Sequence, residues 1–122
     1  MTILVVDDDA DMCELIEFVL RRFRFKILLA GSVEEAQVAA YGHDLGLIIS
    51  DLGLPGKSGL SLLQALGLKG QVPAVALSGY SSEEIMRSSR AMGFTEHLIK
   101  PVTPDKLREV VRRVMGLSRN TL

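Results

Sequence analysis

The chain has 122 residues, 48% of them apolar, and a formal net charge of −1, a composition that argues against an intrinsically disordered chain. The balanced charge and the lack of Trp give no general reason to bind nucleic acid, and no apolar run approaches a membrane span. We therefore predict one domain over 1–122, with no direct nucleic-acid binding and no membrane insertion. The single cysteine, Cys13, and an amino terminus without a basic leader favour a reducing, cytoplasmic location.

The apolar pattern predicts five units, each a strand followed by a helix. The strands are expected at about 2–6, 26–30, 45–50, 73–77 and 95–99. The helices are expected at about 9–23, from 32, at 58–67, at 81–92 and from 103. Ser32 with Glu35 forms a capping box, and Thr103 with Pro104 marks the start of the last helix. This alternation predicts a parallel sheet with helices on both faces.

The fourth predicted helix differs from the others because its inner face is partly polar. Ile85 and Met92 are its candidate core residues, but Ser88 and Ser89 lie between them. A helix anchored so weakly beside the functional edge is a candidate moving part.

Polar side chains stand where four of the predicted strands end. In chain order they are Asp7, Asp8 and Asp9, then Asp51, Ser78 and Lys100. Because the carboxyl ends of parallel strands meet at one edge of the sheet, these side chains should lie together.

These residue types suit phosphoryl chemistry on a carboxylate. Adjacent aspartates repel unless a cation joins them, and hard oxygen ligands favour Mg²⁺. Asp51 is then a candidate nucleophile that forms an acyl phosphate. The Lys100 ammonium and the Ser78 hydroxyl would stabilise charge on the phosphoryl oxygens.

Each residue also has a plainer interpretation. Asp7 to Asp9 could form a solvated helix cap, Asp51 and Ser78 could be loop residues, and Lys100 could be a surface charge. His97, inside a strand, is more often a packed core residue than a catalyst, and Cys13 is interpreted as an inert core thiol. The plain interpretations weaken together because four polar positions each coincide with a strand end.

The chain resembles the receiver domain of two-component response regulators over essentially its whole length. The resemblance rests on the aspartates after Leu4-Val5-Val6, on Asp51-Leu52-Gly53-Leu54-Pro55 with Gly59, on Leu77-Ser78-Gly79-Tyr80, and on Lys100-Pro101. It implies a flavodoxin-like fold with strand order 2-1-3-4-5. It also implies a signalling domain rather than an enzyme, whose partner is a sensor histidine kinase or a histidine phosphotransfer domain.

Residue roles follow from the resemblance. Asp51 is the implied phosphoacceptor, and Asp7, Asp8, Asp51 and the Gly53 carbonyl are the implied Mg²⁺ ligands. Ser78 is the implied switch hydroxyl and Lys100 the phosphate-contacting lysine, with a bond to Pro101 that is usually cis. The surface of helix four, strand five and helix five is the implied contact for an output domain or a homodimer.

The chain departs from the family pattern at several positions. His97 stands where an aromatic switch residue is usual. Arg24 stands where Gly is often found, which predicts a slightly strained turn. Gly46 lies inside strand three, which it should weaken. Gly53 and Tyr80 should influence the lifetime of the aspartyl phosphate.

The best enzyme alternative is a haloacid-dehalogenase-like phosphatase with Asp7 as nucleophile. It would use Asp7 and Asp9 after one strand, Ser78 after another, and Lys100. It leaves Asp51 without a role, lacks an acidic pair after Lys100, and lacks a cap. A receiver that has lost its chemistry and only binds partners is a third class, which the retained site residues argue against.

Overall fold

The computed structural model describes residues 1–54, 58–79 and 82–117. Pro55, a position of the predicted motif, and Tyr80, which was expected to influence the lifetime of the aspartyl phosphate, lie outside the described residues. The five strands are β1 (Thr2–Val6), β2 (Lys26–Ala30), β3 (Leu45–Asp51), β4 (Ala74–Ser78) and β5 (Glu96–Ile99). They pair in parallel in the order β2-β1-β3-β4-β5, which confirms the predicted sheet.

The helices are α1 (Ala10–Leu20), α2 (Val33–Ala40), α3 (Leu62–Leu66), α4 (Glu83–Ala91) and α5 (Pro104–Met115). The first and third predicted helices are shorter than expected, because 3₁₀ segments occupy Arg21–Phe23 and Gly59–Ser61. Tight 3₁₀ turns are common at helix ends, and apolar periodicity alone does not separate them from α-helix.

Side-chain caps start three helices near the carboxyl edge of the sheet. Asp9 accepts a hydrogen bond from the Asp11 amide at 2.9 Å. The predicted caps of α2 and α5 are confirmed: the Ser32 hydroxyl accepts from the Glu35 amide, and Thr103 accepts from the amide three residues on. Each cap satisfies an amide that the helix leaves unpaired, so these helices begin at defined points beside the strand ends.

The core forms two layers because side chains alternate along each strand. Val5, Ile49 and Leu77 pack with α1 and α5 on one face of the sheet. On the other face Leu4 and Ile48 pack with residues of α2 and α3. The three central strands are buried on both faces, as expected for a parallel sheet covered by helices.

Helix α4 has the polar inner face that its sequence predicts. Ser89 is its buried residue, and its hydroxyl donates to the Met86 carbonyl at 2.9 Å. Ile85 and Met86 are half-buried. The role of α4 as a moving part stays a prediction.

The structure gives physical form to two of the departures from the family pattern. Arg24 has φ = 61°, a left-handed conformation that only glycine adopts without strain, so the strained turn is confirmed. Gly46 is the extra residue of a bulge, because β1 pairs Thr2 with Leu45 but Ile3 with Leu47. The bulge gives Gly46 a geometric role beyond weakening the strand.

Candidate functional site

The predicted site residues meet at the carboxyl edge of the sheet. Asp7 directly follows β1, Asp51 is the last residue of β3, and Lys100 directly follows β5. The carboxylates of Asp7, Asp8 and Asp51 each place an oxygen within 4.8 Å of the others. These strand ends form the expected cluster at Asp7, Asp8, Asp51 and Lys100. Asp9, which was expected beside them, is exposed and its side chain caps α1 instead.

The Lys100 ammonium lies between the two buried carboxylates. Its Nζ is 3.3 Å from Asp51 Oδ2 and 3.4 Å from Asp7 Oδ2. Asp7 and Asp51 are 2% and 7% exposed, whereas Asp8 is exposed. The site is therefore a half-enclosed acidic pocket beside the Lys100 ammonium.

Burial and charge act in opposite directions on these groups. Burial and the nearby Asp51 carboxylate raise the pKa of Asp7, against the Asp9 amide and Lys100, which favour its ionised form. Burial lowers the pKa of Lys100, but attraction to Asp7 and Asp51 outweighs it, so that pKa is raised overall. The lysine therefore stays an ammonium in the pocket.

Backbone contacts fix the position of Asp7. Its Oδ1 accepts the Asp9 amide at 2.9 Å, and its own amide donates to the Ala30 carbonyl. The Cys13 thiol donates to the Asp7 carbonyl at 3.3 Å. Cys13, interpreted from sequence as an inert core thiol, thus supports the loop that carries Asp7. No sequence signal indicates this contact.

Asp51 is held in a similar way. The Gly53 amide donates to Asp51 Oδ1 at 3.1 Å, and the buried Ser50 hydroxyl donates to the Asp51 carbonyl at 3.0 Å. A Cβ at Gly59 would lie 2.1 Å from that carbonyl oxygen, so no side chain fits at Gly59. This close approach is the physical reason for Gly59 in the predicted motif. No sequence signal indicates the Ser50 contact.

Ser78 is the last residue of β4 and is 5% exposed. The preceding residue, Leu77, pairs with Asp51, which sets Ser78 on the strand next to the acidic cluster. The Ser78 carbonyl accepts the Lys100 amide at 2.8 Å, and the Lys100–Pro101 peptide is cis. Ser78 and Lys100 are thus tied through their backbones.

His97 lies on β5 away from the acidic cluster. It pairs with Ala76, two residues before Ser78, and is half-buried. It lines a cavity of about 140 Å³ between α4 and β5. Ser89, Arg90 and Glu96 also line this space, so a side chain moving there would meet polar groups.

The acidic pocket fits a small divalent cation. Asp7 Oδ2 is buried and accepts no hydrogen bond from any described residue, although Lys100 lies 3.4 Å away. The carboxylates of Asp7, Asp8 and Asp51 meet beside the Lys100 ammonium, and a divalent cation would offset the negative charge that the lysine leaves unbalanced. The donors are carboxylates, which Mg²⁺ prefers.

Comparisons with known proteins give consistent matches. The family model for the response regulator receiver domain matches residues 3–112. The chain is 33% identical to the transcriptional regulatory protein AruR of Pseudomonas aeruginosa, over 96% of this chain and 49% of that protein. It is 34% identical to an uncharacterised 14.6 kDa protein of Leptolyngbya boryana, over 93% of this chain and 88% of that protein.

Comparison with solved structures also gives response regulator receivers. The chemotaxis response regulator CheY4 of Vibrio cholerae is similar with a TM-score of 0.85 and 26% identity, over 93% of this chain and 97% of that chain. The chain spans about half or less of the length of the first curated relatives it matches. Among the described helices, none has the length and apolar content needed to cross a membrane.

Proposed function

Because this chain belongs to the family of response regulator receiver domains, we propose that it accepts a phosphoryl group on Asp51 and relays it as a conformational signal. The donor is a phosphohistidine on a sensor histidine kinase or a histidine phosphotransfer domain. The observation that carries the proposal is the Asp7, Asp8 and Asp51 cluster with the Lys100 ammonium 3.3 Å from Asp51.

The residues of the pocket have separate tasks. The Asp51 carboxylate oxygen bonds to phosphorus as the P–N bond of phosphohistidine breaks, and the released imidazole takes a proton from solvent. Lys100 already lies beside Asp51 Oδ2, so its ammonium can follow the charge onto the phosphoryl oxygens. The Gly53 amide on Oδ1 orients the carboxylate, which leaves Oδ2 on the lysine side.

Mg²⁺ completes the proposed site. Asp7, Asp8, Asp51 and the Gly53 carbonyl would hold it, and it would neutralise negative charge on the phosphoryl oxygens. The oxygens of Asp7, Asp8 and Asp51, which lie within 4.8 Å of one another, are the atoms in the structure that support this assignment.

The signal would leave the site through Ser78 and β5. A phosphoryl group on Asp51 attracts the Ser78 hydroxyl, which lies on the neighbouring strand. We propose that this movement pulls the loop that enters α4 and opens space beneath His97, so that the His97 ring turns inward. His97 already lines a cavity between α4 and β5. The surface formed by α4, β5 and α5 would then favour an output domain or a homodimer.

We propose that 1–122 acts as one receiver domain in the cytoplasm, and that its chemistry is limited to its own phosphorylation and dephosphorylation. The phosphatase alternative finds no support in the comparisons, which match receivers. It would also leave Asp51, buried beside Lys100, without a role.

The test is intact-mass measurement after incubation with Mg²⁺ and a small phosphodonor such as acetyl phosphate. We expect one acid-labile phosphoryl group on the unmodified chain and none on Asp51→Asn. Asp44→Asn, at an exposed aspartate, is the matched control and should label normally. Labelling that survives Asp51→Asn and disappears in Asp7→Asn would replace this proposal with the phosphatase.

A further inference from the structure

One outward face of α1 and of the 3₁₀ segment Arg21–Phe23 that follows it carries charges in a strict order around an apolar centre. The residues at helical spacing on this face, here called the α1 stripe, are Asp11, Glu14, Leu15, Phe18, Arg21 and Arg22. Phe18 is 54% exposed, whereas Ile16 and Val19 on the other side of the helix are fully buried. Most of the stripe lines a shallow groove of about 480 Å³.

The stripe begins acidic, becomes apolar and ends basic. Acidic residues early in a helix and basic residues late in it complement the helix dipole, which accounts for the charges in part. It does not account for an exposed Phe18 with Leu15 one turn before it. Among the described residues, no ion pair involves a charged residue of the stripe.

This order is complementary to itself only when the helix is reversed. Two parallel copies would set acid against acid and base against base, whereas two antiparallel copies set acid against base at both ends. We propose that the α1 stripe docks on the α1 stripe of a second copy of this chain, antiparallel about a two-fold axis. Such an interface uses the same patch on both partners.

The residue spacing fits this arrangement. An axis midway between Leu15 and Phe18 puts Leu15 of each copy opposite Phe18 of the other. The same axis puts Asp11 opposite Arg22, and Glu14 within one turn of Arg21. Each contact then occurs twice, so the dimer contains an apolar centre and two charged ends, the arrangement expected of interface core and rim.

One short helix from each copy provides less than a standard interface of roughly 800 Å² per partner. We therefore expect a weak dimer whose affinity falls with salt, since exposed charges are screened. This surface differs from the α4-β5-α5 surface of the proposed function. A dimer here would cover α1 beside the acidic pocket, so it would compete with any partner that approaches Asp51 across α1.

Sedimentation equilibrium over a concentration series at low and high salt tests the proposal. Asp11→Lys with Glu14→Lys makes the stripe wholly basic, and Arg21→Glu with Arg22→Glu makes it wholly acidic. We expect each variant alone to self-associate more weakly by at least about tenfold, because both ends of the pair then repel. An equimolar mixture of the two should associate at least as well as the unmodified chain.

Two further variants complete the design. Lys26→Glu with Lys69→Glu makes the same charge change at exposed positions outside both surfaces and should leave self-association intact. Phe18→Ser removes the apolar centre without changing charge and should weaken the dimer by on the order of tenfold.

A chain that remains monomeric at every concentration in low salt would overturn the proposal. A mixture that fails to associate would do the same. If the α1 variants lose only phosphoryl transfer from a phosphohistidine protein, with no self-association to lose, the stripe belongs to that donor. Equal weakening in the Lys26→Glu with Lys69→Glu control would also overturn the proposal, because net charge and not the stripe would then govern association.

Discussion

Helices α4 and α5 flank the same edge strand, β5, yet they are attached to it in different ways. In α5, Leu107, Val110 and Val111 are buried. In α4, the buried residue is Ser89, whose hydroxyl bonds within its own helix. Next to α4 lies a cavity of about 140 Å³, lined in part by His97.

The difference separates an anchor from a movable element. Burial of an aliphatic side chain contributes about 1.5–3 kcal/mol, so α5 is held by several such contributions. A buried serine that bonds to its own helix adds little attraction to the sheet. Local opening is easiest where few apolar contacts are lost, which makes α4 the expected site of rearrangement.

The largest loss of stability should come from removing a buried side chain of α5. Leu107→Ala removes a fully buried side chain from α5 and should lower the free energy of unfolding by about 3 kcal/mol. Ile85→Ala, at a half-buried position of α4, should cost about 1 kcal/mol or less. Urea denaturation of both variants measures the contrast. Equal losses would mean that the two helices are anchored alike.

Mg²⁺ should stabilise the whole chain without removing the difference in anchoring between α4 and α5. At tenfold excess over its dissociation constant it should add about 1.4 kcal/mol by mass action, or about 5 °C in melting temperature. Asp8→Asn should lose most of this shift, and Asp44→Asn should keep it. An undiminished shift in Asp8→Asn would show that the ion binds elsewhere.

A phosphoryl mimic should act on α4 and spare α5. With beryllofluoride and Mg²⁺, amide exchange over 82–99 should slow several-fold, because α4 and β5 settle into one arrangement. Ser78→Ala should still bind the mimic at Asp51 but show a smaller change. Hydrogen exchange with mass spectrometry measures 82–99 and α5 in the same experiment, and exchange in α5 should stay unchanged. Identical exchange with and without the mimic would favour a simple phosphate relay over a switch.

The smallest effect concerns the surface of α4. Arg87 and Glu83 form an ion pair at 3.8 Å, with side chains 80% and 93% exposed. Arg87→Gln should change the free energy of unfolding by less than about 0.5 kcal/mol, because solvent screens such pairs. Urea denaturation measures this change, and the loss in Leu107→Ala is the value with which it is compared. A loss comparable to Leu107→Ala would contradict the weak anchoring of α4.

Much of the fold was predictable because strong local signals coincide. The strands β1 and β2 occupy the predicted positions, since each is an apolar run followed by polar or turn residues. Thr103 and Pro104 place the start of α5 for the same local reason. The end of α1 was not predictable, because its last turn tightens into 3₁₀ before the left-handed Arg24.

The candidate site was predictable in its charged groups and not in what holds them. Asp7, Asp51 and Lys100 each coincide with a strand end, so topology alone brings them together. The Cys13 and Ser50 hydrogen bonds join a side chain to the backbone of Asp7 or Asp51. Such bonds depend on exact geometry, which residue spacing does not contain.

The bulge at Gly46 shows how the chain tolerates a change of length inside its sheet. Gly46, between Leu45 and Leu47, has no partner in the register with β1, and regular pairing resumes at Ile3 with Leu47. A chain without that residue could keep every later pair, so Asp51 would remain at its place on the edge. A residue lost after Leu47 would instead turn Asp51 toward the opposite face of the sheet. Deletions one or two positions apart in the same strand would therefore have opposite consequences for the pocket.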